Sequence, residues 1–237
     1  MKTGIQISSF KPLMTTREGL NAVLDFYVRI GCRYAQLQWI DKSIEGEEVA
    51  RQLDAHGIYS LGTQDKSPFV FEEPKAYIDL CACTKGGDIC VSGAQSMGVD
   101  AFLRKLDALE EICPQGITLS FHPLKADFET ALNTVMAARP RLRLTLDLCQ
   151  AHDAGENLPK LIKLYTGRID IVHFKDRDAN GDLCAVGEGV IDFERAAEAC
   201  AGSGVKYLLA EQETWQNAYE ELGKGFEFVS RLNAKYS

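Results

Sequence analysis

Leu142-Arg143-Leu144-Thr145-Leu146 is a β-rich run. It is followed by a helix-period stretch over residues 157–165 and then by a second β-rich run, Ile169-Asp170-Ile171-Val172-His173. A strand, a helix and a strand in that order make one βα crossover, the repeating unit of a parallel sheet. The rhythm continues in both directions. Upstream, β-rich runs cover residues 4–8, 34–38, 59–63, 88–92 and 117–121, and downstream one covers 207–210, which brings the number of strand candidates to eight. The segments between them have helical spacing. The first places Leu20, Val23, Leu24, Tyr27 and Val28 at i, i+3, i+4, i+7 and i+8, which makes one apolar face. The second opens after Ser43, an expected N-cap, and stops at Gly57, where a left-handed residue suits glycine. The third carries Pro74 in its first turn and Gly86-Gly87 at its end. Further helices are expected over 100–112, 127–138, 192–201 and 217–234. Eight units of roughly 30 residues each fit a closed (β/α)8 TIM barrel, with 1–237 as a single domain. A doubly wound open sheet is the alternative that the same pattern allows.

Composition narrows the partners. With 237 residues, 46% of them hydrophobic, the chain can bury one large core. Its net charge of -8 and its lack of any Lys/Arg cluster argue against nucleic acid and favour a small-molecule partner. Met1-Lys2-Thr3-Gly4-Ile5-Gln6 is not the apolar run of an export signal, and no stretch approaches the roughly 20 apolar residues of a membrane span. The expectation is a cytoplasmic protein without a membrane partner; a homo-oligomer is left open. The eight cysteines are then expected to be reduced and mostly buried, with Cys81-Ala-Cys83 inside a helix.

In a (β/α)8 barrel the C-terminal strand ends share one mouth, so residues far apart in sequence meet there. Four consecutive strand ends carry His122, Asp147, His173 and Glu211. Two imidazoles and two carboxylates make a mixed N/O ligand set suited to a divalent cation, with Mn, Co, Zn or Fe favoured over Mg. Caps and turns explain any one of these residues more readily than all four. The early strands offer amides instead: Gln6, Gln36, Gln38 and then Gln64, with Trp39 alongside. If they face the lumen, they read sugar hydroxyls by neutral hydrogen bonds, and Trp39 stacks on a sugar ring.

Three motifs carry a resemblance: Thr145-Leu146-Asp147-Leu148-Cys149-Gln150-Ala151-His152, Arg168-Ile169-Asp170-Ile171-Val172-His173-Phe174-Lys175-Asp176, and Gly187-Glu188-Gly189-Val190-Ile191-Asp192-Phe193. In this order they resemble the xylose-isomerase-like sugar phosphate isomerase/epimerase superfamily. That family has a metal-ligating Asp after strand six, His-hydrophobic-Lys-Asp on strand seven, a Gly-Glu-Gly turn and a Glu closing strand eight. Leu119-Ser120-Phe121-His122-Pro123-Leu124-Lys125-Ala126-Asp127-Phe128 is similar to a subgroup whose strand five ends in Tyr-His-Asn-His, and Ala210-Glu211-Gln212-Glu213 resembles its Glu-Gln-Asp ending. The matching region runs from residue 117 onward. Two departures bear on the reaction: His122 stands where epimerases of the family place a strand-five Glu, and Leu124 replaces the subgroup's second His.

The resemblance implies a divalent-metal-dependent isomerase or epimerase of a small sugar or polyol derivative, working by proton transfer through an enediolate. Glu211 is then the base, His122 a ligand or the second acid/base, and Lys175 a group that polarises a sugar hydroxyl. Gln38, Gln64, Gln150, His152, Asp176 and Glu213 are the candidate substrate contacts, Gln150 standing where many members have a sugar-binding His or Trp. A lyase of the inosose dehydratase type is the alternative reaction, and a sugar-binding barrel without catalysis is the non-enzymatic one. Endonuclease IV shares the wider fold group, but four histidines and an acidic chain fit it poorly.

Overall fold

The computed structural model describes residues 1–214 and 216–237. Eight parallel strands close into a barrel: β1 Lys2–Gln6, β2 Tyr34–Leu37, β3 Tyr59–Lys66, β4 Asp88–Ser92, β5 Thr118–His122, β6 Arg143–Asp147, β7 Ile169–Phe174 and, as the eighth, β10 Tyr207–Ala210. Closure is direct, because β1 pairs in parallel with both β2 and β10. The open-sheet alternative is thereby excluded. A two-stranded antiparallel ribbon, β8 Asp176–Arg177 and β9 Leu183–Cys184, rises from the end of β7.

Helices α1 Arg17–Arg29, α2 Gly46–His56, α3 Ser67–Glu72, α4 Pro74–Thr84, α5 Val99–Ile112, α6 Lys125–Thr130, α7 Leu132–Ala138, α8 Leu148–Asp153, α9 Leu158–Leu164, α10 Phe193–Ala201 and α11 Ala218–Tyr236 run between and after the strands. On α1 the residues Leu20, Val23, Leu24 and Tyr27 are fully buried, each burial contributing about 1.5–3 kcal/mol. Val28, expected on that face, is 39% exposed, and Phe26 is buried instead.

Three local expectations are corrected. Ser43 does not cap α2: its amide donates to Asp41 Oδ1 in a turn, and the helix starts at Gly46 after Glu45. Gly57 does close α2, at φ 60°. At the end of α4 the left-handed residue is Lys85, at φ 58°, ahead of Gly86-Gly87. The stretch over 127–138 is two helices, α6 and α7, meeting at Ala131.

The shell between barrel and helices forms one large apolar core, while the lower lumen is plugged by Leu61, Ile171 and Leu209 above Tyr34 and Tyr207. All eight cysteines are free, five of them buried, and Cys81 and Cys83 lie within α4. Among the described residues, no helix is long and apolar enough to cross a membrane.

Candidate active site

Strand alternation sets the site. Phe121, Leu146, Phe174 and Ala210 point outward into the core, so the residues beside them, His122, Asp147, His173 and Glu211, point into the lumen. Register aligns them: Ser92 pairs with His122 across β4 and β5, and Asp147 with His173 across β6 and β7. The Glu211 amide extends the ladder by donating to the Phe174 carbonyl at 2.9 Å.

The four side chains are buried. Ligand atoms of His122, Asp147 and His173 all lie within 4.8 Å of one another. Glu211 adjoins this trio, its Oε2 2.9 Å from His173 Nδ1. That contact lacks hydrogen-bond alignment, and both atoms are left without a partner, as are both ring nitrogens of His122 and Oδ2 of Asp147. A buried polar atom without a partner costs about 1–3 kcal/mol, so five gathered in one place mark a site shaped for a bound group. Imidazole nitrogens and carboxylate oxygens at this spacing fit a divalent cation.

The remaining atoms of these residues are held by the protein. Asp147 Oδ1 accepts from the amides of Cys149 (2.7 Å) and Gln150 (3.0 Å) at the start of α8. His173 Nε2 lies 2.7 Å from Gln36 Oε1. An amide oxygen can only accept, so Nε2 carries the proton and Nδ1 turns its lone pair toward the cluster. Such outer partners orient ligating histidines. Glu211 Oε1 receives the Ser8 hydroxyl at 3.4 Å and has Lys175 Nζ at 3.6 Å.

Lys175 is also buried, with Asp147 Oδ2 at 3.7 Å and Glu213 Oε2 at 2.9 Å. Burial alone works against its ammonium, but Glu211, Asp147 and Glu213 outweigh burial and raise its pKa above that of a free lysine. Burial likewise works against a charged Glu211, yet the Lys175 ammonium and the neighbouring imidazoles hold it well below the usual carboxylate range. Burial by itself would tune such a carboxylate upward; the ammonium reverses that direction. Burial pushes His122 down to about 4, and His173 adds to the effect.

The other expected contacts divide. Gln6, Gln36, Gln38 and Gln64 are all buried, and Gln6 Nε2 donates to Gln38 Oε1 at 2.6 Å. Gln36 Nε2 and Gln64 Oε1 are unpartnered, as is the Ser92 hydroxyl. Glu213, half-exposed, reaches the site through Lys175. Gln150 sits at the rim, its Oε1 accepting from the Lys125 amide at 2.8 Å. His152 does not join them: α8 turns it outward, where it is exposed beside Asp153. Trp39 takes a left-handed backbone at φ 61°, and the Lys11 ammonium covers its ring at 3.9 Å.

Asp176 is buried and holds backbone rather than Lys175 or a ligand. Its Oδ2 accepts from Gly187 (2.9 Å) and Gly189 (3.0 Å), and its Oδ1 from Arg177 (2.9 Å) and Ile191 (3.4 Å). A Cβ on Gly189 would collide with the Asp176 carboxylate and the Arg177 carbonyl, which is why the turn needs glycine there. Sequence reading passes over Ser92 and Gln212. Ser92 is found by the same strand-end rule once hydroxyls are counted. Gln212 follows Glu211 and organises the last loop, donating to the Cys184 carbonyl at 2.6 Å.

No protein-family model matches the sequence, and no curated protein matches it. Solved structures do. A D-allulose 3-epimerase from Methylomonas sp. is similar over 98% of this chain and 98% of its own, at TM-score 0.78 and 14% identity. An IOLI protein with a bound zinc atom is similar over 100% and 99%, at TM-score 0.77 and 17% identity. A probable 3-DHS dehydratase, AsbF, from Bacillus anthracis is similar over 97% and 99%, at TM-score 0.73 and 14% identity. At such identities the likeness is one of architecture: the chain has the (β/α)8 fold of the xylose-isomerase-like barrels.

Proposed function

We propose that this chain is a divalent-metal-dependent isomerase or epimerase of a small sugar or polyol derivative, acting by proton transfer at carbon. The observation that carries the reading is the convergence of unpartnered buried atoms, one from each of His122, Asp147, His173 and Glu211. The zinc in one barrel of the same fold and the epimerase name of another support it. His122, Asp147 and His173 would hold the ion, with Glu211 Oε2 beside them. A divalent cation bound there polarises a carbonyl and its neighbouring hydroxyl and acidifies the adjoining C–H.

Glu211 would take that proton. The alternative carboxylate, Asp147, has Oδ1 committed to two amides at the start of α8. Lys175 keeps Glu211 ionised and can donate to a substrate oxygen as charge develops on it. Gln36 and Gln64 offer one free donor and one free acceptor for substrate hydroxyls. Incubation of metal-loaded protein with a broad panel of ketoses in deuterated water tests the reading. Metal-dependent deuterium uptake at carbon is the expected result, and no uptake with metal bound overturns it.

A second reaction is favoured by one feature of this chain: β5 ends on His122 where a second carboxylate would serve two-sided epimerisation. One base beside the metal suffices for β-elimination, and a dehydratase shares the fold. Loss of water from the substrate mass in the same incubations identifies that outcome.

A further inference from the structure

We infer that the ligand of this site is an uncharged polyol or sugar, not a phosphate ester or other anion; the inference rests on the sugar reading above and narrows it. In (β/α)8 barrels a phosphate is commonly gripped by the loops after strands seven and eight, where backbone amides form a concave anion nest. Here both loops have side-chain oxygens of the chain itself in that position.

After β7, the amides of Arg177, Gly187, Gly189 and Ile191 converge on the Asp176 carboxylate, which is buried and so already fills the nest with an anion. After β10, the amides of Glu213 and Thr214 donate to Gln212 Oε1 at 2.7 and 3.2 Å, and the Gln212 amide donates to Ser9 Oγ at 3.2 Å. Among the described residues, these seven loop amides are therefore committed to oxygens of the chain itself.

Side-chain charge points the same way. Among the described residues, Lys175 is the single buried lysine or arginine, and Asp147, Glu211 and Glu213 surround it. At the rim, Arg177 is engaged with Asp153 at 2.7 Å and with the Gly181 carbonyl at 2.7 Å. With a divalent cation bound, the three carboxylates and one ammonium would sum to no net charge. An arriving dianion would upset that balance against Glu211 and Glu213, whereas a neutral polyol would not. The groups left free, Gln36 Nε2, Gln64 Oε1 and the Ser92 hydroxyl, are neutral and match hydroxyls.

Calorimetric titration of manganese- and zinc-loaded protein with D-fructose, D-tagatose and D-allulose, each beside its 6-phosphate, tests this. The expected result is that at least one free ketose binds about tenfold or more tightly than its ester, and that inorganic phosphate does not displace it. Glu213→Gln, which frees Lys175 from one of its three carboxylates, should narrow the preference by raising ester affinity. Tighter binding of the esters, or displacement by inorganic phosphate, overturns this inference and leaves the sugar reading standing. Binding of neither class brings down the sugar reading, and this inference with it.

Discussion

Strands β1 to β3 line the upper lumen with the amides of Gln6, Gln36, Gln38 and Gln64, whereas β5, β6, β7 and β10 bring His122, Asp147, His173 and Glu211. The amide wall largely satisfies itself, Gln6 on Gln38 and Gln36 on His173. The ionisable wall does not: its partnerless atoms concentrate where the late strands meet. Neutral dipoles are buried at modest cost when paired with each other, but charged groups need an ion or a counter-charge. On the proposed function, one wall would position and the other would react. The largest effect should come from breaking the reacting wall. Asp147→Asn keeps its shape and the contact to the Cys149 amide but removes an anionic ligand. Metal affinity should fall by more than the roughly 100-fold that outer-sphere changes cause, and deuterium exchange should vanish with it. Competition against a metallochromic indicator measures the first. Unchanged affinity would show that the cluster is not the metal site.

The Gln36 to His173 contact is where the walls join, across 137 residues of sequence. Gln36→Leu should sharpen the comparison by releasing His173 Nε2 without touching any candidate ligand. Loss of such an orienting partner costs about 10- to 100-fold in metal affinity. Gln36→Glu keeps an acceptor for Nε2 and should recover most of that loss. If both variants bind metal as the parent does, His173 is fixed by packing alone, and the amide wall serves only the substrate.

How much of this was legible before folding follows the same division. Strands β4 and β10 fall on the residues their β-rich runs mark, and the late strand ends bring together the side chains read from them. Hydrophobic periodicity and one topological rule are enough for that, because the core dictates which residues face in. The first strand lies two residues ahead of its β-rich run: Ile7 and Ser8 belong to a 3-10 helix whose start is fixed by the Gln6 side chain accepting from the Ser8 amide at 2.6 Å. A side chain competing for its own backbone leaves little trace in a hydrophobicity pattern. His152, a candidate substrate contact, is exposed because the short helix α8 turns it away from the site, an orientation its place in the sequence does not give. Asp176, a candidate substrate contact, holds amides that arrive through the ribbon and the turn at 187–189, which only the folded chain brings round.

The smallest of the expected effects concerns Asp88, a lumen carboxylate on the bridging strand β4 that belongs to neither wall. It lies below the site, where Oδ2 accepts from the Ser120 hydroxyl at 2.7 Å, and Ser120 in turn lies 3.0 Å from Thr145 Oγ1. Burial raises its pKa to about 7; Ser120, Arg143 and Lys206 oppose the rise, and Asp170 adds to it. A carboxyl group whose folded pKa exceeds its unfolded value of about 4 is no burden below that value, where both states hold the proton. As pH rises toward 7 the unfolded chain releases its proton and the folded one does not, so stability declines and then levels off once the folded group ionises. Over the interval from pH 5.5 to 7.5 the loss from this group should be about 1–2 kcal/mol. Asp88→Asn keeps an acceptor for Ser120 and cannot ionise, so denaturant melts of the variant should lack this component and show the larger stability at the upper pH. A variant that follows the parent's pH profile throughout would mean that Asp88 is already ionised in the fold, and that the lumen below the candidate metal site is better solvated than its burial indicates.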